Sequence, residues 1–513
     1  MGPFLAMSTT VSLAFLESFI ELDTSTASPL YRQLYHCLRT AVTNGQLSPG
    51  TRLPSTRDLS DHLGVSRNTV VSAFEELKSE GYLESRVGAG TFVCDNLPEQ
   101  MTQAFSSSVS NSAPLRLTNT ESRTPSLSTT ARRVCDQSFT ALDDPTPQAA
   151  FRQGLPALDE FPIDTWAKLA SRRWRFLPPE KLVYGDPAGY APLREAIARY
   201  LRTSRGVRCE ANQVLIVSGI QQAFTLVARV LLDPGDPVLV EDPGFPRMWT
   251  AFSSAGAHLH YASVDANGIS LGDLRSTPSA QIVGITPSHQ YPLGMTMPMH
   301  RRLALLEWAD KHNSWILEDD YDSQFRYSGE PLAALQGLDN TGRVLYTGTF
   351  SKILFPALRL GFLVVSPDLV DPFTKMRSTS DRCPPRINQM ILTDFITEGH
   401  FEQHIRKMRT LYAARQDALL NAIQDELNDV VDISSSNAGL HLVARLPEGI
   451  DDRAVSDHLA EHGIIALPLS FYSNRSLDQG GLLLGYGCVS EEEIYEGVQR
   501  MSDAFSSFEM SSS

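Results

Sequence analysis

The rhythm of apolar and polar positions changes three times along the chain. From about residue 13 to 95, apolar residues recur at helical spacing and are broken by short turns. The run Pro54–Leu63 opens on a capping residue and sets Leu59 and Leu63 on one helix face at i and i+4. Gly64-Val65 reads as a tight turn. Ser66 then caps a second helix whose Val70, Phe74 and Leu77 point inward. Two short helices joined in this way predict a helix-turn-helix. The pattern next switches to alternation around a glycine turn, Gly81-Tyr82-Leu83-Glu84 and Gly88-Ala89-Gly90-Thr91-Phe92-Val93, which predicts a hairpin wing.

From about residue 150 to 505 short apolar runs recur: Val214–Val217, Val238–Val240, Leu259–Tyr261, Ile282–Ile285, Trp315–Leu317, Val344–Tyr346 and Leu360–Val365. Helical stretches such as Gln221–Leu232 and His300–Lys311 separate several of them. Buried strands alternating with helices predict an α/β domain with a mainly parallel central sheet covered on both faces. Its chemistry belongs at the carboxyl ends of the strands. After about residue 375 helices dominate, as in a smaller C-terminal lobe. Residues 96–149, in between, are rich in Ser, Thr and Pro and poor in large apolar residues. They read as a flexible linker with a reach of about 40 Å. The predicted organisation is therefore a winged helix-turn-helix domain over 13–95, a linker over 96–149 and an α/β domain over 150–505.

Bulk composition narrows the classes. The chain has 513 residues, enough for two or three domains, and a net charge of −15 that repels nucleic acid at long range. Residues 28–95 balance seven Arg and Lys against seven Asp and Glu. DNA contact therefore needs a local surface and, for useful affinity, a dimer reading two half-sites. Six scattered cysteines, with no C-x-x-C pair, read as reduced thiols of a cytoplasmic protein. No run reaches the roughly 18 apolar residues of a membrane span. The first twenty residues hold no Lys or Arg, and the stretch breaks at Glu17 and Glu21, which argues against a signal peptide; Met7 is an alternative start.

Four elements carry candidate chemistry. Gly348-Thr349-Phe350-Ser351-Lys352, followed by Arg359, places an amine able to form a Schiff base among hydroxyls and a cation suited to a phosphate. In Glu318-Asp319-Asp320-Tyr321-Asp322, residues i and i+2 share a strand face, so Asp319 and Tyr321 point together; a carboxylate and a phenol suit a pyridine nitrogen and a ring hydroxyl. Ser218-Gly219-Ile220-Gln221-Gln222 runs from strand into helix and offers backbone N–H groups to a phosphate. Glu241-Asp242-Pro243-Gly244-Phe245-Pro246-Arg247 presents an aromatic ring and a guanidinium from a strand-end loop. In the second N-terminal helix, Arg67, Asn68 and Thr69 occupy the first turn, where a recognition helix meets bases and phosphates. No His or Cys ligand set supports a metal site.

Pro29–Val93, including Leu53-Pro54-Ser55-Thr56-Arg57-Asp58-Leu59, resembles the GntR family of winged helix-turn-helix regulators. That resemblance implies that Arg57, Ser66, Arg67, Asn68 and Thr69 face DNA, with Gly90 in the wing and Arg52 and Thr56 as phosphate contacts. The C-terminal elements resemble the fold type I pyridoxal 5′-phosphate enzymes, specifically aminotransferases. The whole chain resembles the MocR-type regulators, the group that includes GabR. Tyr184–Tyr190, Pro287–Gly294 and Ala438–His441 extend the match. By this resemblance Lys352 carries the coenzyme, Asp319 pairs with the pyridine nitrogen, Tyr321 with the ring hydroxyl, and Phe245 stacks on the ring. Ser218, Gly219, Ile220, Gln221, Thr349, Ser351 and Arg359 bind phosphate, and Tyr184 reaches in from a partner subunit of a head-to-tail homodimer.

There is one departure. Leu483 stands where aminotransferases carry an Arg that clamps the substrate carboxylate, and a Leu cannot make that bidentate contact. Arg247 remains as a carboxylate partner. The sequence thus reads as an effector-responsive regulator of amino-acid or vitamin B6 metabolism. It would bind promoter DNA and respond to a small amine, an amino acid or a B6 vitamer. A working aminotransferase with an accessory DNA head, and a plain repressor with an inert core, are the alternatives.

Overall fold

A computed structural model describes residues 11–26, 28–95, 127–135, 150–277, 279–327 and 332–512, with 509–512 described by backbone alone. The chain divides into two compact units, Met1–Pro125 and Ser126–Ser513.

In the first unit, helices Leu13–Glu17, Leu30–Thr43, Thr56–Leu63 and Arg67–Ser79 precede a hairpin of β1 (Leu83–Arg86) and β2 (Gly90–Val93). Ser55 Oγ accepts from Asp58 N at 3.1 Å and Ser66 Oγ from Thr69 N at 3.2 Å, so each helix of the pair starts on a side-chain cap. Gly64, at φ 64°, ends the first helix of the pair in the left-handed region. Leu34, Leu38, Leu59, Val70, Phe74, Leu77 and Val93 form the core, all essentially inaccessible. The hairpin pairs Leu83 with Val93 and Arg86 with Gly90 and leaves Val87 fully exposed at its tip.

The second unit is built on an eight-stranded sheet in the order β3-β10-β9-β8-β7-β4-β5-β6. The strands are β3 (Val214–Val217), β4 (Pro237–Asp242), β5 (His258–Asp265), β6 (Gly268–Ile269), β7 (Ile282–Ile285), β8 (Trp315–Asp320), β9 (Val344–Thr349) and β10 (Gly361–Val364). β5, β4, β7, β8 and β9 run parallel; β10 is antiparallel to both β3 and β9. Alternation divides each strand between two cores. Leu215 and Val217 pack with Phe224 and Val227 of helix Ile220–Leu231, while Val214 and Ile216 pack with Leu193 and Ile197 of helix Ala191–Ser204. Burial on both faces is why these strands read as unbroken apolar runs.

A second, antiparallel sheet in the order β11-β12-β14-β13 forms the smaller lobe. It comprises β11 (Asp432–Ile433), β12 (His441–Arg445), β13 (Leu467–Pro468) and β14 (Gly481–Gly485), with helices His400–Glu426, Asp452–Glu461 and Glu491–Ser512 alongside. Most of the predicted linker lies outside the described residues. Within it, however, Thr129–Cys135 is helical, which corrects the expectation of an unstructured stretch there. Ser128 Oγ accepts from Ala131 N at 3.1 Å and starts the helix, which lies against helix Pro246–Ser254. Among the described residues no helix is long and apolar enough to cross a membrane.

Candidate functional site

The carboxyl ends of β4, β8 and β9, with the β3-to-helix turn, converge on a cavity of about 580 Å³. Its wall holds Ile220, Gln221, Phe245, Arg247, Asp319, Tyr321, Thr349, Ser351, Lys352 and Arg359, ten of the positions singled out in the sequence. Ser218 and Gly219 lie beside this wall without lining it. The backbone N–H expected of Ser218 is taken by Gln222 Oε1 at 2.8 Å, because the helix's own side chain folds back over the turn. A Cβ at Gly219, φ +104°, would fall 3.0 Å from the Arg359 guanidinium, so only glycine lets that cation approach the turn. Tyr184 is exposed in this chain, with Arg382 3.8 Å over its ring, and takes no part in this cavity.

The acidic run resolves into separate tasks. Glu318 accepts from the backbone N–H groups of Leu335 and Gln336 at 2.8 and 2.9 Å. Asp320 pairs with Arg205 at 2.9 Å beneath the sheet. Asp319 points the other way. Its Oδ1 is buried and has no hydrogen-bond partner, and burial, then Asp320 and Asp322, push its carboxyl well above the usual range. A buried acceptor in that position is costly unless a donor meets it. Lys352, on the same wall, has its amine pushed down to about 8, chiefly by burial, with Asp322 opposing the shift. Lowering the pKa exposes the neutral, nucleophilic amine near neutral pH. Tyr321 stays a neutral phenol, its pKa pushed well up, above all by burial. An aldehyde-bearing pyridine with a phosphate fits this set: an amine to capture the aldehyde, an unsatisfied carboxylate oxygen for the ring N–H, and hydroxyls with Arg359 for the anion.

The sequence pattern missed several wall residues. Asp322 also lines the cavity, because β8 ends at Asp320 and the chain turns before period-two alternation can carry Asp322 to the opposite face. Tyr291 and His441 arrive from elsewhere in the chain. Burial, followed by the nearby His289, pushes His441 down to about 3, so it is a neutral imidazole whose Nε2–H donates to Pro292 O at 2.9 Å. Pro356 and Leu440 line the wall as well, and Arg152, Gln153, Gly154 and Leu155 complete it. This segment shows no periodicity. It is fixed by Ile465 N to Ala150 O at 3.1 Å and Gly485 N to Phe151 O at 2.8 Å. Leu483 is fully buried in β14 against Leu467, Leu469 and Tyr472 and presents no polar group at the expected carboxylate position.

In the first unit Arg57, Arg67 and Asn68 are exposed at the starts of the paired helices, and Gly90 is exposed in the hairpin. Ser66 and Thr69 are bonded to each other, Oγ to Oγ1, at 2.9 Å as part of the cap. Arg52 is exposed, and its guanidinium lies against Gly90 at 3.0 Å from where a Cβ would sit; Thr56 is half-buried.

A winged helix-turn-helix joined to an aminotransferase fold defines a DNA-binding regulator with a small-molecule-type core. Residues 30–93 match the bacterial regulatory proteins, gntR family, and residues 152–501 match aminotransferase class I and II. The chain belongs to the MocR-type transcription regulators, gntR-family proteins with an aminotransferase class I and II domain. It is 40% identical over 491 residues to the probable rhizopine catabolism regulatory protein MocR of Rhizobium meliloti, covering 96% of each chain. It is 29% identical to the pyridoxine biosynthesis regulator PdxR of Corynebacterium glutamicum, covering 95% of this chain and 98% of that one. Among solved structures, α-aminoadipate aminotransferase LysN of Thermus thermophilus, complexed with N-(5′-phosphopyridoxyl)-L-leucine, superposes with a TM-score of 0.68. The identity is 28%, over 74% of this chain and 97% of LysN. The aminotransferase class I and II family binds pyridoxal phosphate, and the gntR-family domain binds DNA.

Proposed function

We propose that this regulator carries pyridoxal 5′-phosphate on Lys352 and responds through it to a small amine, an amino acid or a B6 vitamer. One observation carries the reading: an amine with a lowered pKa and an unsatisfied buried carboxylate oxygen, at Asp319, share one cavity wall. In this arrangement Asp319 holds the ring nitrogen and Tyr321 the ring hydroxyl. Phe245 covers the ring face. Ile220, Gln221, Thr349, Ser351 and Arg359 hold the phosphate, with Ser218 and Gly219 behind them. When bound, the coenzyme supplies an aldehyde that captures primary amines. Arg247 is the carboxylate partner for an acidic effector. The buried Leu483 weighs against ordinary α-amino-acid transamination, and so against a working aminotransferase.

Tyr184 lies in a stretch with four more exposed large apolar residues, Trp174, Phe176, Leu182 and Val183, a surface suited to a second copy in a head-to-tail homodimer. Arg57, Ser66, Arg67, Asn68 and Thr69 form the DNA-reading face with Gly90 in the wing, and Arg52 and Thr56 support it at the phosphates. The protein would act in the cytoplasm on promoters of amino-acid or vitamin B6 metabolism. The test pairs absorbance with footprinting. The wild type develops a visible band with the coenzyme and Lys352→Ala does not, and the coenzyme alters the footprint on the upstream DNA. A colourless wild type, or a band retained in Lys352→Ala, overturns the assignment.

A further inference from the structure

His289 has no role in the reading above, yet it is buried next to the site. It follows β7 and is 2% exposed. Its Nδ1 lies 2.8 Å from Asp322 Oδ2 and 2.9 Å from the Tyr321 hydroxyl; Nε2 lies 3.5 Å from Ser436 Oγ. The slot is shaped to the ring: a Cβ at Gly439, φ +102°, would fall 2.2 Å from Cε1. Asp322 is equally enclosed, and its second oxygen, Oδ1, has no hydrogen-bond partner.

One imidazole nitrogen holds at most one proton, and here a carboxylate and a phenol both face it. If Nδ1 is protonated, it donates to an anionic Asp322, and the Tyr321 hydroxyl keeps its own proton for another acceptor. If Nδ1 is bare, it accepts from Tyr321, and Asp322 needs a proton of its own. The charge-assisted bond favours the first arrangement. The surrounding charges are mixed. Burial pushes the Asp322 carboxyl up, His289 and Lys352 oppose that shift and Asp320 adds to it; Lys352 is faced by Asp322, Arg247 and Asp319, Tyr321 by Asp322, Tyr291, Asp319 and Glu241, and His289 also by His441. Asp320 is itself paired with Arg205 at 2.9 Å.

We propose that His289 is a positioning residue: its Nδ1–H holds Asp322 as an anion beside Lys352 and frees the Tyr321 hydroxyl to donate into the cavity. The inference rests on the reading of Lys352 as the coenzyme carrier. The anion favours positive charge on the Lys352 nitrogen, so it sets the pH at which the bound chromophore changes colour.

The test is a pH titration of the visible band of the full-length protein loaded with pyridoxal phosphate. In His289→Phe, Asp322 loses its donor in an apolar enclosure and takes up a proton, so the midpoint falls by about one pH unit or more. In His289→Asn, whose amide N–H can stand in for Nδ1–H, the midpoint returns toward the wild type. Asp322→Asn keeps the shape while removing the anion, so it lowers the midpoint even if His289→Phe fails to fold. A coloured wild type whose midpoint is unmoved by Asp322→Asn, or by a folded His289→Phe, overturns this inference alone. A colourless wild type overturns the coenzyme reading and this inference with it.

Discussion

Lys352 Nζ donates a 2.6 Å hydrogen bond to the carbonyl oxygen of Gly154, 198 residues earlier in the chain. The bond ties the carboxyl end of β9 to a segment that is itself held on β14. The contact is close: a Cβ at Gly154, φ +78°, would lie 2.5 Å from that nitrogen. Gly154→Ala should therefore displace the amine and strain the backbone at a cost of about 1–3 kcal/mol. Titration of the visible band should show coenzyme binding weakened by about tenfold or more. Unchanged affinity would mean that the segment yields freely.

The lowered pKa of Lys352 gives a pH prediction. The neutral amine is the nucleophile, so coenzyme capture by the apo-protein should accelerate as pH rises and level off above the amine's pKa. The midpoint should lie near 8 and not near the 10.5 of an ordinary lysine. Stopped-flow absorbance across pH 6–10, a roughly chosen window around that value, reads it directly. A rate still climbing steeply at the alkaline end would show the amine to be solvated.

Leu483→Arg, which restores the residue type aminotransferases use, should not create a transaminase. The new cation would enter a fully enclosed cluster of Leu467, Leu469 and Tyr472. Burying it unpaired should cost about 3–5 kcal/mol, visible as a lower melting temperature. A stable variant with new α-amino-acid turnover would contradict the packing argument.

Arg247→Ala addresses the effector. Isothermal titration with a panel of amino acids and B6 compounds should show acidic amines losing about 1.5–3 kcal/mol of affinity, as for a hydrogen bond to a charged group. Tight binding of common α-amino acids, undiminished in the variant, would refute Arg247 as their carboxylate partner.

Arg67 begins its helix exposed, beside a cap that uses Ser66 and Thr69. Arg67→Ala should weaken operator binding by about 1–3 kcal/mol, and if the contact is to phosphate it should reduce the salt slope by about one. Footprints at two salt concentrations check this, and identical protection would move the recognition surface elsewhere.

Local pattern determined much of this protein. The apolar runs marked seven of the eight strands of the large sheet, and all of these but the half-buried β5 are buried on both faces. Ser55, Ser66 and Gly64 marked the helix-turn-helix because capping and left-handed turns are properties of a few adjacent residues. The Thr349–Lys352 run and Asp319 were legible because strand ends project their side chains predictably. Tertiary structure alone decided that Gly154 meets Lys352, that Asp322 turns into the cavity beside Asp319, and that His289 lies between Asp322 and Tyr321. The Gly154 and His289 contacts join residues from separate parts of the chain, and the turn at Asp322 follows the end of β8. Period and propensity do not encode sheet order or the return path of a loop, and the pKa shifts along the cavity wall follow from the burial that the assembled fold imposes.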